Sequence, residues 1–320
     1  MKIITIGGSG FIGTYLIGLL QPQHQLLNVD KRNSAAFPQL THIADVRNGG
    51  QLLAAIQPAD WVILMAAEHR DDVTPVSLYY DVNVEGTKNT LKALDAKGIT
   101  KIIFISTVAV YGLNKNNPDE NAPADPFNHY GKSKWMAEEV LRTWQQKDTA
   151  NRTLIIIRPT VVFGPNNKGN VHNLLHQISS GKFMMIGKGN NKKSMSYIEN
   201  MTAFIQFLLQ QNLTGYHVFN YVDKPDLSMN ELVEIVEKVM GKKIAHIRIP
   251  YWLGYLGGSG VDMVAAITKK KFSVSAVRVK KFCATTQFSG EKWKQTGFTP
   301  KYTLREGLTK TIQAINGSKD

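Results

Sequence analysis

The chain has 320 residues, 43% of them hydrophobic, with a formal charge of +13 and a single cysteine, Cys283. One cysteine excludes an internal disulfide framework and fits a reducing compartment. No apolar run reaches the ~18 residues that would predict a membrane-spanning helix. The positive charge suits a phosphorylated ligand, an anionic membrane surface, nucleic acid, or solubility alone, but no nucleic-acid-binding motif is present, so we expect no nucleic-acid partner.

The amino terminus leads from Met1 directly into a strand-like sequence, without a basic region followed by a long apolar run. This start predicts no signal peptide. We therefore expect a cytoplasmic protein, with peripheral binding at the cytoplasmic face of the inner membrane left open.

The first half of the chain alternates short apolar runs with segments of helical length. Strands are predicted at residues 2–7, 26–30, 41–46, 60–66, 101–106 and 153–158, and helices at 11–20, 49–57, 77–97 and 128–147. This alternation indicates βαβ units and a parallel sheet. Near-continuous Ile, Val and Leu in the strands indicates that both sheet faces are covered. We predict an α/β, doubly wound (Rossmann) fold, with a dinucleotide-binding domain over residues 1–165.

Residues 166–320 are less regular, with predicted loops at 165–170 and 187–193 and predicted helices at 199–211 and 228–240. We interpret this half as a smaller substrate-binding lobe, with chain crossovers between the two parts allowed. Its segment 247–267 is apolar and aromatic and is flanked by Arg248 and Lys269–Lys271. This composition suits docking at a membrane interface, but packing inside the lobe or against a dimer partner is an equal alternative.

Three glycines, Gly7, Gly10 and Gly13, fall between the first predicted strand and the first predicted helix, which Phe11 and Ile12 open. Glycines at this spacing permit a tight turn, close approach to a pyrophosphate and close helix–sheet packing, and the helix N-terminus faces the negative charge. Such a motif is weak alone, but its strand–turn–helix context predicts a dinucleotide site.

Asp30 ends the second predicted strand, where a carboxylate binds the adenosine ribose hydroxyls. It favours NAD, although the basic neighbours Lys31 and Arg32 leave NADP open. At the end of the third predicted strand, Asp45 and Val46 are placed to contact the adenine, and a solvated loop is the alternative.

Tyr130 and Lys134 lie four residues apart at the start of a predicted helix, so they share one face. A tyrosine with its ordinary pKa of about 10 is a poor base, and a nearby ammonium favours the phenolate. An exposed Tyr–Lys pair on a helix surface is the alternative.

Upstream, Ser106 and Thr107 end the fifth predicted strand, at the sheet edge where ligands of such folds bind.

Here the chain resembles the extended short-chain dehydrogenases, the NAD-dependent epimerase/dehydratase group. The matching segments, in the family's order, are GGSGFIG (7–13), Asp30, DVR (45–47), LMAA (64–67), NVEGT (83–87), STVAVYG (106–112), YGKSK (130–134) and RPTVVFG (158–164). The resemblance implies NAD as cofactor, Tyr130 as acid/base, Lys134 as the residue that lowers the tyrosine pKa and holds the nicotinamide ribose, and Thr107 as the catalytic Ser/Thr. It also implies cofactor contacts at Leu64, Ala66, Ala67, Asn83, Ser106, Pro159 and Val161.

The residues after Thr107 are Val108 and Ala109. Sugar-nucleotide 4,6-dehydratases of this family carry an acidic pair there, so elimination chemistry is not expected. Oxidation and re-reduction at one carbon remain, which is what a 4-epimerase with permanently bound NAD needs.

The second half departs from ordinary nucleotide-sugar epimerases, because Lys193 stands where those enzymes carry an arginine. Other segments, such as AAEHRDDV (66–73) and SVSAVRVKKFCATTQF (273–288), resemble those of the family members that act on N-acetylhexosamines linked by diphosphate to a lipid. The resemblance implies a lipid-carried, diphosphate-linked sugar substrate used for surface polysaccharide, and a homodimer. Candidate substrate-binding residues are Glu68, His69, Arg70, Thr107, Asn170, Lys193 and Arg278.

Two alternatives stay open at this point: an epimerase or reductase for a nucleotide-linked sugar such as UDP-N-acetylglucosamine, and a non-enzymatic NAD-sensing scaffold. No metal is expected, because His69 has no ligand partners at useful spacing.

Overall fold

The computed structural model describes residues 1–70, 73–113, 115–181, 183–244, 247–268 and 276–317, with residues 263–267, 277, 278 and 281 described by their backbone alone. Its strands are β1 (Lys2–Ile6), β2 (Gln25–Asp30), β3 (Thr41–Ile43), β4 (Trp61–Leu64), β5 (Lys101–Ile105), β6 (Thr153–Pro159), β7 (Val161–Phe163), β8 (Met185–Ile186), β9 (Lys192–Tyr197), β10 (Tyr216–Tyr221), β11 (Asp223–Ser228) and β12 (Arg248–Ile249).

Its helices are α1 (Phe11–Leu20), α2 (Gly49–Ala55), α3 (Ser77–Tyr80), α4 (Gly86–Ala96), α5 (His129–Gln146), α6 (Asn170–Ser179), α7 (Ile198–Gln210), α8 (Met229–Met240), α9 (Tyr251–Thr268), α10 (Ala276–Cys283), α11 (Glu291–Lys294) and α12 (Leu304–Gly317). A π-helical stretch, Asp81–Glu85, separates α3 from α4, and a short 3-10 helix covers Val108–Tyr111.

The chain divides into two compact units. Unit 1 comprises Met1–Val162, Ser196–Asp223 and Phe288–Tyr302, and unit 2 comprises Phe163–Met195, Lys224–Gln287 and Thr303–Asp320. The chain therefore passes between the units several times, and two segments from the second half of the sequence belong to unit 1.

Unit 1 is built on a seven-stranded parallel sheet in the order β10-β6-β5-β4-β1-β2-β3. The predicted doubly wound parallel sheet is confirmed. One register row runs from Val29 through Ile6, Leu64 and Phe104 to Ile156. Because this row lies near the carboxyl ends of its strands, the loops that follow β1, β2, β4 and β5 all open at one edge of the sheet.

Alternating strand residues separate into two apolar layers. Ile4, Ile102 and Ile156 pack on one face with helices α2, α4 and α5, whereas Ile3 and Ile103 pack on the other face with α1 and α7. Covering both faces explains why the strands read as continuous aliphatic runs instead of alternating ones.

The seventh strand, β10, was not among the predicted strands. It pairs in parallel with β6 from Tyr216 opposite Leu154 to Tyr221 opposite Pro159. Its sequence, YHVFNY, contains two polar residues and no aliphatic run, so the pattern that marks the other strands is missing.

Unit 2 contains α6, α8 and α12, together with a two-stranded parallel pair of β8 and β12. Helix α8 begins with a capping box, in which the Ser228 hydroxyl accepts from Glu231 N–H and the Glu231 carboxylate accepts from Ser228 N–H. It ends at Gly241, which has a φ of 63°. Within the described part of the chain, none of the helices combines the length and hydropathy needed to cross a membrane.

Candidate active site

The glycine loop after β1 brings three chain segments close together. Gly7 has a φ of 84°, and a Cβ added there would lie 2.4 Å from the backbone of Ala66. A Cβ on Gly13 would lie 2.3 Å from the carbonyl oxygen of Gly8. A side chain at Gly7 would push the loop away from the segment after β4, and one at Gly13 would push α1 away from the loop. Both are expected for glycines that allow close packing.

Asn28, in the interior of β2, holds this loop in place. Its Oδ1 accepts from Gly8 N at 3.0 Å and from the Thr5 hydroxyl at 3.1 Å, while its Nδ2 donates to the hydroxyls of Ser9 and Thr41 at 3.0 Å each. Sequence reasoning missed this residue. The available signal was an asparagine in the middle of an otherwise aliphatic predicted strand, because polar groups buried in a sheet need partners. In the structure Asn28 is fully buried.

Asp30 lies beside the loop, at the end of β2, and is buried. One carboxylate oxygen accepts from Ser9 N–H at 3.0 Å, and the other accepts from Arg32 N–H at 2.9 Å. The two backbone bonds orient the carboxylate at the sheet edge, and each oxygen retains a lone pair for a ligand hydroxyl. Lys31, next to it, is exposed.

Helix α1 begins at Phe11 without a side-chain cap and without an acidic residue in its first turn. Its first amide groups therefore have no intrahelical acceptor. A Cβ on Gly10 would meet only the Gly7 carbonyl oxygen, at 3.9 Å, so the space before the helix is open. An uncapped helix N-terminus facing open space suits the diphosphate of a dinucleotide.

Lys134, in the second turn of α5, is 1% exposed. Its ammonium donates to the Ile105 carbonyl oxygen at 2.7 Å and lies 3.9 Å from the centre of the Phe104 ring. Burial lowers the pKa of Lys134 to about 7, and the negative charge of Glu138 opposes that shift. The side chain therefore reaches the carboxyl end of β5, the strand that leads into Thr107.

Tyr130 is half-buried in the first turn of α5. The Asn128 side chain caps this helix by accepting from Gly131 N–H at 2.8 Å. A Cβ on Gly131 would lie 2.6 Å from the Ala109 carbonyl oxygen, so only glycine lets the start of α5 approach the 107–111 turn so closely. Thr107 is buried and caps that turn, with its hydroxyl accepting from Ala109 N–H at 3.1 Å. Local packing thus brings the Thr107 and Tyr130 segments together.

A buried polar network lies behind this site. Glu138 accepts from the Ser106 hydroxyl at 2.5 Å and from Arg158 Nε and Nη2 at 3.0 and 2.6 Å. Arg158 Nη1 also donates to the Tyr111 hydroxyl at 2.7 Å, and that hydroxyl donates to Asn220 Oδ1 at 2.7 Å. Burial raises the pKa of Tyr111 to about 12. Apart from Ser106, sequence reasoning missed these side chains.

Asn83 was expected to contact the cofactor. In the structure its Oδ1 accepts from Glu68 N–H at 2.8 Å, and its Nδ2 donates to the Glu68 carbonyl at 3.0 Å and to the Ser133 hydroxyl at 2.8 Å. Its side chain therefore ties the loop after β4 to α5, from inside the π-helical stretch.

The other predicted cofactor positions of unit 1 lie on the same sheet edge or next to it. Asp45 forms an ion pair with Arg47 at 2.6 Å, and the side-chain hydrogen bond from Arg47 lowers the pKa of that carboxyl. Val46 is buried in the core. The remaining positions lie at strand ends or just after them (Leu64, Ala66, Ala67 and Pro159), except Val161, which begins β7.

The predicted substrate residues divide between the two units. In unit 1, Glu68 is buried and accepts from Arg70 Nε at 3.3 Å, whereas His69 and Arg70 are exposed. Asp71 and Asp72, which follow them, lie outside the described residues. Across the described ranges, no cluster of three or more His, Cys, Asp or Glu side chains is arranged to bind a metal.

In unit 2, Asn170 is exposed at the start of α6. Lys193 is partly buried in β9, and its ammonium donates to the Ala284 carbonyl oxygen at 2.5 Å. Burial lowers the pKa of Lys193 to about 8. Arg278 lies in α10, but its side chain is outside what the structure describes.

Residues 3–221 match the NAD dependent epimerase/dehydratase family. The chain belongs to this family. NAD is accordingly its cofactor, and the glycine loop, the uncapped N-terminus of α1 and the oriented carboxylate of Asp30 fit that group.

Within the NAD dependent epimerase/dehydratase family, the chain is 56% identical over its full length to the N-acetyl-alpha-D-glucosaminyl-diphospho-ditrans,octacis-undecaprenol 4-epimerase of Escherichia coli O157:H7, covering 97% of that protein. It is 29% identical to the UDP-glucose 4-epimerase of Vibrio cholerae, with 98% of this chain and 95% of that one aligned. A solved structure of Thermus thermophilus UDP-glucose 4-epimerase in complex with NAD shares the fold, with a TM-score of 0.77, 19% identity and coverage of 99% and 100% of the two chains.

Proposed function

We propose that this protein is an NAD-dependent 4-epimerase that interconverts N-acetylglucosamine and N-acetylgalactosamine while the sugar is linked by diphosphate to undecaprenol. The observation that carries the proposal is the 56% identity over the whole chain to the Escherichia coli O157:H7 enzyme of that name. The site supports it, because the Thr107, Tyr130 and Lys134 segments converge at the edge of the sheet that carries the glycine loop.

In this proposal the Tyr130 phenolate accepts the proton of the sugar O4 hydroxyl, while the Thr107 hydroxyl hydrogen-bonds to the same oxygen. NAD, which the glycine loop and Asp30 would hold, would supply the hydride chemistry at C4, with removal from one face of the ring and return to the opposite face. Between these two steps the 4-keto sugar rotates in the pocket, so that its opposite face is presented. Tyr130 then returns its proton to O4. One proton and one hydride are removed and restored, so no net oxidation occurs.

Lys134 supports this cycle by its charge. An ammonium on the same helix face as a tyrosine favours the phenolate form of that tyrosine. The bond from Lys134 to the Ile105 carbonyl orients the side chain toward the end of β5, where Thr107 follows. Val108 and Ala109 supply no acid or base that would eliminate water from the keto sugar.

A direct test offers the purified protein undecaprenyl-diphosphate-linked N-acetylglucosamine and UDP-N-acetylglucosamine in parallel, without added cofactor. Acid release followed by chromatography of the hexosamines measures inversion at C4. We expect inversion of the lipid-linked sugar, its loss in Tyr130→Phe, and its retention in Tyr216→Phe, which removes an exposed hydroxyl. A requirement for stoichiometric NADH, or inversion of the UDP-linked sugar alone, would contradict the proposal.

The second candidate is a UDP-linked hexosamine epimerase, supported by the 29% identity to the Vibrio cholerae enzyme. The lysine at position 193, where nucleotide-sugar epimerases carry arginine, favours the lipid-linked substrate. We further propose that Lys193 and Arg278 bind the diphosphate of the substrate. The protein is then a homodimer located peripherally at the cytoplasmic face of the membrane. Its product enters surface polysaccharide (O-antigen) synthesis.

A further inference from the structure

The first turns of α9 and the segment before them leave large apolar side chains exposed in unit 2. We call the following six residues the α9 patch: Ile247, Tyr251, Trp252, Leu253, Tyr255 and Leu256. Their side chains are between 41% and 62% exposed, with Trp252 the most exposed. Neighbouring apolar residues that are exposed together indicate a binding surface, whereas scattered ones do not.

Glycines on the opposite side of α9 explain why these side chains point outward. Gly258 is buried, and a Cβ on Gly254 would lie 2.7 Å from the Ile186 side chain of β8. The helix thus packs on unit 2 through its small residues. The bulky residues between them remain at the surface, where they do not contribute to the core.

Basic residues surround the α9 patch in the sequence. Residues 241–290 contain nine Lys or Arg and one acidic residue, Asp262, so this stretch accounts for eight of the thirteen excess positive charges. Lys242, Lys243 and Arg248, which precede the helix, are exposed. The apolar patch therefore belongs to a strongly cationic stretch of the chain.

We propose that the α9 patch docks this protein on an anionic lipid bilayer, with Trp252 and its neighbours inserted at the headgroup level. Tyr and Trp favour the membrane–water interface, and Lys and Arg beside them attract anionic lipids. A second copy of the chain fits less well, because a symmetric contact would bring two stretches with the same excess of positive charge together. The proposal rests on the proposed function only in that a lipid carrier places the sugar substrate at a bilayer.

The test is co-sedimentation of the full-length protein, without substrate, with vesicles of phosphatidylcholine alone or mixed with phosphatidylglycerol. We expect binding to the mixed vesicles only. Trp252→Ser combined with Leu256→Ser should reduce the partition coefficient by about tenfold or more. Lys242→Gln combined with Lys243→Gln should reduce it on the order of 30-fold at low salt.

Matched controls come from exposed residues of unit 1. Ile43→Ser with Leu53→Ser removes comparable exposed apolar surface, and Lys92→Gln with Lys147→Gln removes two exposed charges. Both controls should bind vesicles like the wild type. A blue shift of tryptophan emission on adding mixed vesicles should be present in the wild type and reduced in the conservative variant Trp252→Phe, which reports insertion without depending on a loss of folding.

Three results would overturn the docking proposal: no binding to mixed vesicles, equal loss in the control variants, or a wild-type dimer that Trp252→Ser with Leu256→Ser converts to a monomer. Failure of the proposed function gives a different result. In that case vesicle binding persists, but lipid-linked N-acetylglucosamine is not inverted at C4.

Discussion

Arg158 meets the Glu138 carboxylate with two nitrogens, Nε at 3.0 Å and Nη2 at 2.6 Å, and both side chains are buried. Glu138 lies one helical turn after Lys134 on the same face of α5. Its negative charge raises the pKa of the Lys134 ammonium, against the effect of burial. The buried charges therefore connect the core of unit 1 to the candidate catalytic lysine.

Removing one member of this pair should be costly. Arg158→Met leaves the Glu138 carboxylate buried with the Ser106 hydroxyl and the more distant Arg142, 3.9 Å away, so we expect a loss of about 3–5 kcal/mol of unfolding free energy. Combining Arg158→Met with Glu138→Leu should cost less than the two single variants added together, because no charge is then left unpaired. Urea unfolding measures all three.

Lys88→Met provides the comparison for the Arg158 experiment, because Lys88 pairs with Glu85 at an exposed site. Its expected effect is about 1 kcal/mol or less. An Arg158→Met variant no less stable than Lys88→Met would show that the buried pair contributes nothing.

Lys134→Met should change stability in a pH-dependent way. Burial lowers the pKa of Lys134 to about 7, whereas an unfolded lysine has a pKa of ~10.4. The stability contribution of this group is therefore present above about pH 10 and is lost as the pH falls through about 7. The unfolding free energy of the wild type minus that of Lys134→Met should rise by about 2 kcal/mol from pH 7 to pH 9.

This measurement uses dinucleotide-free protein and denaturant titrations at the two pH values, and Lys134→Met should also lose turnover. Lys132→Met, on the exposed face of the same helix, is the control and should show a constant difference. A constant difference for Lys134→Met as well would mean that the buried lysine keeps its ordinary pKa.

Gly131→Ala should disturb the catalytic geometry. The added Cβ would lie 2.6 Å from the Ala109 carbonyl oxygen, which forces the start of α5 away from the turn that Thr107 caps. Small displacements of catalytic groups slow the chemical step strongly, so we expect kcat to fall by ~100-fold. NAD binding at the glycine loop should be retained. Gly18→Ala in α1 is the control, because its nearest neighbour would be Phe37 at 3.5 Å. Unchanged kcat in Gly131→Ala would refute the argument.

Asp223 should make the protein less stable as the pH rises. Burial raises its pKa to about 6, although Tyr197 N–H and the side chains of Asn200 and Tyr221 donate to it. Its stability contribution is thus present below the unfolded value of ~3.9 and is lost as the pH rises through about 6. The unfolding free energy of the wild type minus that of Asp223→Asn should therefore fall by up to about 3 kcal/mol between pH 4 and pH 7. Equal differences at the two pH values would exclude this titration.

The cofactor side of the fold was predictable because its signals are local. Gly7, Gly10 and Gly13 occupy a strand–turn–helix context, and aliphatic residues mark five of the seven strands of the main sheet. The Tyr130–Lys134 spacing follows from helical periodicity alone. Each of these inferences needs only a few neighbouring residues.

The partners of these residues were less accessible to prediction. Asn28, Glu138, Arg158 and Asn220 are far apart in the sequence, and their roles depend on which strands become neighbours. β10 is the clearest case, since YHVFNY becomes a strand through pairing with β6 and burial against α7 and α11, not through its own pattern. Tertiary context decided these assignments.

The position of β10 also has a consequence for biosynthesis. Until residues 216–221 leave the ribosome, β6 is an open sheet edge whose aliphatic stretch Leu154–Ile157 has no strand to cover it. A fragment truncated near residue 165 would keep the glycine loop, Tyr130 and Lys134, yet it would expose this edge to other nascent chains. We therefore expect that fragment to aggregate when expressed alone, and coexpression of the remainder to rescue its solubility.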